Sequence, residues 1–148
     1  MRRSSSSFLF PDVNVWVALT LESHVHNPTA AQWLAGLDPD SYVCFCRFTQ
    51  LGLLRLLTTE SVMGADVMNQ TEAWELYDRW MTDTRMMFLT EPDGLELVFR
   101  AYSRGKSPSP KNWADAYLIA FATAARLTLV SFDQGLRHKI HDFLLLTD

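Results

Sequence analysis

Short apolar stretches recur along this chain with helical stretches between them, and that alternation restricts the fold more than any other feature. "FLF" (8–10), "SYVCFC" (41–46), "RMMFL" (85–89) and "LTLVSF" (127–132) are largely apolar runs of strand length, and "FLLL" (143–146) is a candidate fifth. A strand without alternating polar positions is buried on both faces, as in a parallel sheet covered by helices. One long strand over Phe8–Leu21 is the alternative for the first run, and Pro11 speaks against it.

The segments between these runs carry helix signals. "VNVWVALTLES" leaves Asp12, and "HNPTAAQWLAGL" offers Asn27 as an N-cap, Pro28 in the first turn and Gly36 near its end. "RFTQLGLLRLLTTE" has leucines at 51, 53, 54, 56 and 57, too dense for one exposed face. Residues 64–83 place Val67, Ala73, Trp74, Tyr77, Trp80 and Met81 at helical spacing, and a further helix starts around Pro92. "NWADAYLIAFATAAR" is apolar nearly all round, with Asn112 as its cap. The expected fold is a three-layer α/β/α sandwich around a central parallel sheet of four to five strands. Residues 8–148 would form a single domain and residues 1–7, "MRRSSSS", a flexible tail. A chain of 148 residues with 48% hydrophobic content can build such a core without disulfides.

Bulk properties exclude several classes of function. A net charge of −4 with 13 basic residues makes no polycation, so any contact with nucleic acid is local. Cys44 and Cys46 point to one face of a strand and are badly placed to bridge one another, and no second Cys or His pair completes a zinc site. They read as buried thiols in a reducing compartment. The apolar run after the serines is three residues long before Pro11, too short for a signal-peptide core or a membrane span. The expectation is a cytoplasmic protein with no membrane contact.

Within this plan three aspartates occupy related places. Asp12 follows the first strand, Asp133 follows the fourth, and Asp115 lies early in the helix feeding that fourth strand. Between Asp115 and Asp133 the only polar residues apart from Tyr117 are Thr123, Arg126, Thr128 and Ser131. Each acid alone is explained as a helix cap or first-turn acid. Together they sit where open α/β sheets bind ligands, outside the carboxyl ends of the strands. Carboxylates gathered without basic partners repel one another, and hard divalent cations such as Mg²⁺ and Mn²⁺ neutralise them. The reaction this chemistry suggests is phosphodiester hydrolysis. A phosphatase with an aspartate nucleophile is the competing enzyme class, but its "DxD" motif is "DVN" here, and Asn14 cannot serve as a general acid.

At these residues the sequence resembles the PIN-domain ribonucleases, and more closely the VapC toxins of bacterial VapBC toxin–antitoxin pairs. The matching pieces are "FPDVNVWVAL" (10–19), "FTQLGLLRLLT" (48–58) and "WADAYLIAFATAARLTLVSFDQGL" (113–136). The resemblance implies a metal-dependent endoribonuclease acting as the toxin of a type II pair. It implies Mg²⁺ or Mn²⁺ as cofactor, an RNA substrate, a VapB-like antitoxin as partner and a homodimer. Asp12, Asp115 and Asp133 are similar to the family's first, third and fourth acids and are the catalytic and metal-binding candidates. Asn14 is similar to the polar residue that braces the first acid. The second acid has no counterpart: Gln50 or Gly52 stands nearest that position. A degenerate PIN module that binds antitoxin or RNA without cleavage is the alternative this departure motivates.

The remaining candidates for supporting or substrate contacts are Gln50, Arg55, Asn112 and Ser131. Gln50 either binds a metal-bound water or caps a helix start. Arg55, in a leucine-rich helix, either aims at the acids or RNA or pairs with a structural carboxylate. Arg100, Arg104, Lys106 and Lys111 straddle a proline loop before Asp115, as phosphate contacts or as a solvated loop. The four histidines form no zinc-like pair, and Trp74 and Trp80 suit a core, dimer or antitoxin contact.

Overall fold

The computed structural model of the protein describes residues 7–148. Five strands, β1 (Phe8–Pro11), β2 (Tyr42–Phe45), β3 (Met86–Phe88), β4 (Thr128–Ser131) and β5 (Phe143–Leu145), form one parallel sheet in the order β3-β2-β1-β4-β5. The sheet grows outward from β1 through β2 and β3 on one side and through β4 and β5 on the other. The chain therefore reverses its winding between β1 and β4, and their carboxyl ends flank the switch point. Pro11 pairs with Val130 at the last residue of β1, beyond the register with β2, so a central strand tolerates a residue that has no N–H.

Side chains alternate between two cores. Leu9, Val43, Phe45 and Val130 enter one, while Phe10, Cys44, Cys46 and Leu129 enter the other. Both faces are buried, which is why these strands read as continuous apolar runs. The first core is covered by α1 (Val13–Thr20), α2 (Asn27–Ala35), α3 (Arg47–Leu57), the one-turn α4 (Glu60–Met63) and α5 (Gln70–Met81). Trp16 of α1 stacks on Phe45 with ring centroids 3.8 Å apart, and both are fully buried. Burying a large apolar side chain of this kind stabilises by about 1.5–3 kcal/mol. The second core is covered by α6 (Leu95–Ser103) and α7 (Pro110–Ala125), with Phe121 of α7 stacked on Phe10. Cys44 and Cys46 share this core as free thiols.

Several local expectations need correction. Asn27 is the first residue of α2 rather than its cap, because its side chain donates instead to the Ala18 carbonyl at 2.8 Å and docks α2 on α1. The stretch 64–83 is not one helix. Gly64 takes a positive φ of 57°, a 3-10 turn covers Gly64–Asp66, and α5 starts only after the Asn69–Glu72 capping box. The helix expected from Pro92 begins at Leu95, after Gly94 at φ 79°. Asn112 does not cap α7, which starts at Pro110; its side chain donates to the Tyr102 carbonyl at 3.3 Å and ties α7 to α6. Ser7, placed in the tail by sequence, already hydrogen-bonds to β2 through its carbonyl, 2.8 Å from the Tyr42 nitrogen. Residues 1–6 of that tail lie outside the described residues. Among the described residues, no helix is long and apolar enough to cross a membrane.

Candidate active site

Asp12 is positioned by the end of a strand and the start of a helix. Its backbone N–H donates to the Val130 carbonyl at 2.8 Å, extending the β1–β4 ladder by one residue. Its side-chain Oδ1 accepts from the Val13 N–H at 2.7 Å and caps α1. The other oxygen, Oδ2, accepts from the Ser131 hydroxyl at 2.9 Å. Ser131 is buried at the end of β4, and its Oγ also accepts from Asn14 Nδ2 at 3.2 Å and from the Asp133 N–H at 3.0 Å. Asn14 Oδ1 in turn accepts from the Phe132 N–H at 3.4 Å. Asn14 and Ser131 thus form one bridge that fixes the Asp12 carboxylate against the turn carrying Asp133.

Asp133 caps the 3-10 turn Gln134–Leu136 by accepting from the Gly135 N–H at 2.8 Å, and its other oxygen lies 3.6 Å from Lys111 Nζ. Asp115 stands in the second turn of α7, one helical turn beyond Lys111 on the same side. The carboxyl of Asp12 is held above its ordinary value. Burial is the main cause, opposed by the hydrogen bonds from Ser131 and Val13, and the charges of Asp115 and Asp133 push it further up. Asp12 thus feels the charges of the other two acids at the switch point. They are not a ready-made cage: among the described residues, no group of three or more His, Cys, Asp or Glu side chains is close enough to hold a metal ion unaided. Their chemistry nevertheless fits Mg²⁺ or Mn²⁺, which take oxygen donors and keep several waters rather than requiring an all-protein shell.

The other candidates divide. Asn14 and Ser131 are built into the acid cluster. Gln50 is buried, and its Oε1 accepts from Arg47 Nη1 at 2.6 Å. Arg55 is exposed and lines a cleft with Leu51, Leu54, Thr58, Gln70 and Trp74 on the α3–α5 side. Among the described residues it pairs with no carboxylate, which corrects the expectation of a structural ion pair: the guanidinium is exposed and needs no buried partner. Asn112 sits beside Trp113, Arg104 and Lys106 around a cleft of about 580 Å³ at the α7 N-terminus. Arg100 is paired with Glu96 at 3.0 Å along α6. Trp80 donates its indole N–H to Thr20 at 3.0 Å and packs on the first core, while Trp74 is about half exposed. Sequence reasoning passed over Arg47, whose only signal is its spacing of three from Gln50 on one helix face.

With this geometry in hand, comparison with known proteins is specific. The PIN domain family model matches residues 9–141. The chain is 43% identical over 129 residues to Ribonuclease VapC41 of Mycobacterium tuberculosis, spanning 84% of this chain and 88% of that protein. It is 28% identical over 138 residues to Ribonuclease VapC29 of the same organism, spanning 91% and 92% of the two chains. Among solved structures, VapBC2 from Rickettsia felis bound to a promoter DNA fragment superposes with a TM-score of 0.66 at 12% identity, over 93% of this chain and 96% of that one. Mycobacterium tuberculosis VapC20, a Sarcin-Ricin loop cleaving toxin, superposes with a TM-score of 0.63 at 17% identity, over 88% and 94%. A five-stranded parallel sheet with acids at its switch point and a family match across nearly the whole described chain lead to one assignment: the protein belongs to the PIN-domain family.

Proposed function

We propose that this protein is a ribonuclease of the VapC type, hydrolysing RNA phosphodiester bonds as the toxin of a type II toxin–antitoxin pair. The observation that carries the reading is the Asp12–Ser131–Asn14–Asp133 network at the β1/β4 switch point, with Asp115 near enough to raise the Asp12 pKa. The similarity to Ribonuclease VapC41 over most of both chains supports the choice of substrate.

In this reading Asp12, Asp115 and Asp133 would hold Mg²⁺ or Mn²⁺ by their carboxylate oxygens. A bound ion of this kind polarises the phosphodiester and lowers the pKa of a water. The protein's own residues prepare that site. Val13 N–H and the Ser131 hydroxyl fix both oxygens of Asp12, and they favour its charged form against burial. Asn14 fixes the Ser131 hydroxyl and the Phe132 backbone together, so Asp12 and the Asp133 turn are tied to one another. Lys111, highly exposed and weakly paired with Asp133, is free to swing to a phosphate oxygen.

The partners that follow are a VapB-like antitoxin and a second copy of the chain, in the cytoplasm. Two solved neighbours are VapBC assemblies, from Rickettsia felis and from nontypeable Haemophilus influenzae. The test is metal-dependent cleavage. Purified protein freed of antitoxin should cut RNA in Mg²⁺ or Mn²⁺ and stop in chelator, and Asp12→Asn and Asp115→Asn should each abolish cutting with the fold intact. Full activity in either variant would overturn the reading.

One observation favours a second reading, a PIN module that binds without cutting. Of the two positions nearest the family's second acid, Gly52 has no side chain and the amide oxygen of Gln50 is engaged by Arg47. RNA or antitoxin binding with no cleavage in any divalent metal would favour that module.

A further inference from the structure

Arg47 is held in place without losing its charge. Its Nη1 donates to Gln50 Oε1 at 2.6 Å, and its guanidinium carbon lies 4.8 Å from the centre of the Phe88 ring. Both partners are neutral. An amide oxygen and a ring face orient a guanidinium, whereas a carboxylate at position 50 would also neutralise it. Gln50 is buried while Arg47 is exposed, and among the described residues no carboxylate lies within ion-pair distance of Arg47. A guanidinium carries five N–H donors, so most of the fork remains available.

That fork borders a cleft of about 520 Å³ between the start of α3, the end of β3 and the middle of α7. Its walls include Phe48, Phe88 and Tyr117, and Phe48 and Tyr117 lie 5.3 Å apart at a tilt of 46°. Glu91, the one acid lining it, accepts from the Tyr117 hydroxyl at 3.0 Å, leaving its second oxygen for another donor. Arg47 opens α3 immediately after β2, and β2 lies beside β1, so the cleft shares the carboxyl edge of the sheet with Asp12. An oriented cation, an aromatic wall and one acceptor are the complement of a nucleotide: phosphate, base face and base N–H edge. Unpaired RNA presents all three, while a duplex hides its base faces.

We propose that this cleft binds one nucleotide of single-stranded RNA beside the cleavage site, with Arg47 on a backbone phosphate and the adjoining base against Phe48 and Tyr117. Gln50 is then a positioning residue that acts through Arg47, and its amide is what keeps the cation uncompensated. The inference rests on the ribonuclease reading above.

The test is binding of a short, fluorescently labelled single-stranded RNA of mixed sequence to the full chain in chelator, where nothing is cut, across a salt series. Arg47→Ala should weaken binding by about tenfold and lower the salt slope by about one counterion. Arg47→Lys should keep the slope while losing part of the affinity, a rescue that separates lost charge from lost fold. Gln50→Glu should weaken binding several-fold by pairing with Arg47. Wild-type affinity and slope in Arg47→Ala would overturn the cleft proposal and leave the ribonuclease reading standing. Tighter Mn²⁺ binding with unchanged RNA binding in Gln50→Glu would also overturn it, placing position 50 at the metal instead. Wild-type protein that neither binds nor cuts RNA with Mg²⁺ or Mn²⁺ would overturn the ribonuclease reading itself.

Discussion

Ser131 Oγ donates to Asp12 Oδ2 at 2.9 Å across 119 positions of sequence. The bond joins the ends of the two strands between which the sheet reverses its winding, so the first acid is aimed by the neighbouring strand as well as by its own helix cap.

Replacing Asp12 separates its chemical role from its structural cost. Burial and neighbouring acids hold its pKa above the ordinary value, so the folded state favours the protonated form. The sign follows: stability is fully present below the unfolded carboxyl value and falls as pH rises through the folded one. Above the folded value the buried charge is a liability, and there Asp12→Asn should melt at a higher temperature than wild type in chelator. With divalent metal at about ten times its Kd, wild type should gain about 1.4 kcal/mol, and the variant little. Differential scanning calorimetry with and without Mn²⁺ reads both effects.

Ser131→Ala should cost about 1 kcal/mol or more, because it leaves Asn14 Nδ2 and the Asp133 N–H, both partly buried, without their acceptor. It also removes a hydrogen bond that stabilises the Asp12 carboxylate, so cleavage should fall and its pH profile should shift upward. Urea unfolding and cleavage rates between pH 5 and 9 in about half-unit steps would measure the two consequences.

Gly52 is needed for a close approach. A Cβ there would lie 2.6 Å from Val13 Cγ2, and Val13 is a stiff, β-branched residue next to Asp12. Gly52→Ala should destabilise by about 1–3 kcal/mol through overpacking and weaken cleavage by displacing the start of α1. Adding Val13→Ala should restore part of the loss, so a double-mutant cycle should give a coupling of about 0.5 kcal/mol or more.

Cys44 provides a pH test away from the acids. Burial pushes its thiol up to about 12 from an ordinary 9.0. The folded state thus holds the proton longer than the unfolded chain, and stability should decline as pH rises above 9.0 toward that value. Iodoacetamide at pH 8 should leave Cys44 unmodified in native protein and label it fully in denaturant, as followed by mass spectrometry. Rapid native labelling would contradict the packed second core.

Much of the architecture was legible because the signals that encode it are local. Continuous apolar runs marked all five strands, since a strand buried on both faces cannot carry a polar alternation. The same period of two placed Cys44 and Cys46 on one face. Element boundaries were less legible where a side chain had a tertiary use. Asn27 and Asn112 look like caps, but each donates to a carbonyl on another helix, Ala18 and Tyr102. A capping preference of about 1 kcal/mol is easily outweighed when a distant acceptor is presented.

The sequence by itself determined the strand and helix alternation and the placing of Asp12, Asp115 and Asp133 near strand ends and helix starts, because hydrophobic period and chain order need no partner. The tertiary structure decided which groups meet. It put Ser131 and Asn14 between Asp12 and Asp133, gave Gln50 to Arg47, and left Arg55 exposed near the end of α3. Those outcomes depend on the strand order β2-β1-β4 and on how closely α3 approaches α1 at Gly52. Order and approach are set by packing among residues far apart in the chain, and no local pattern records them.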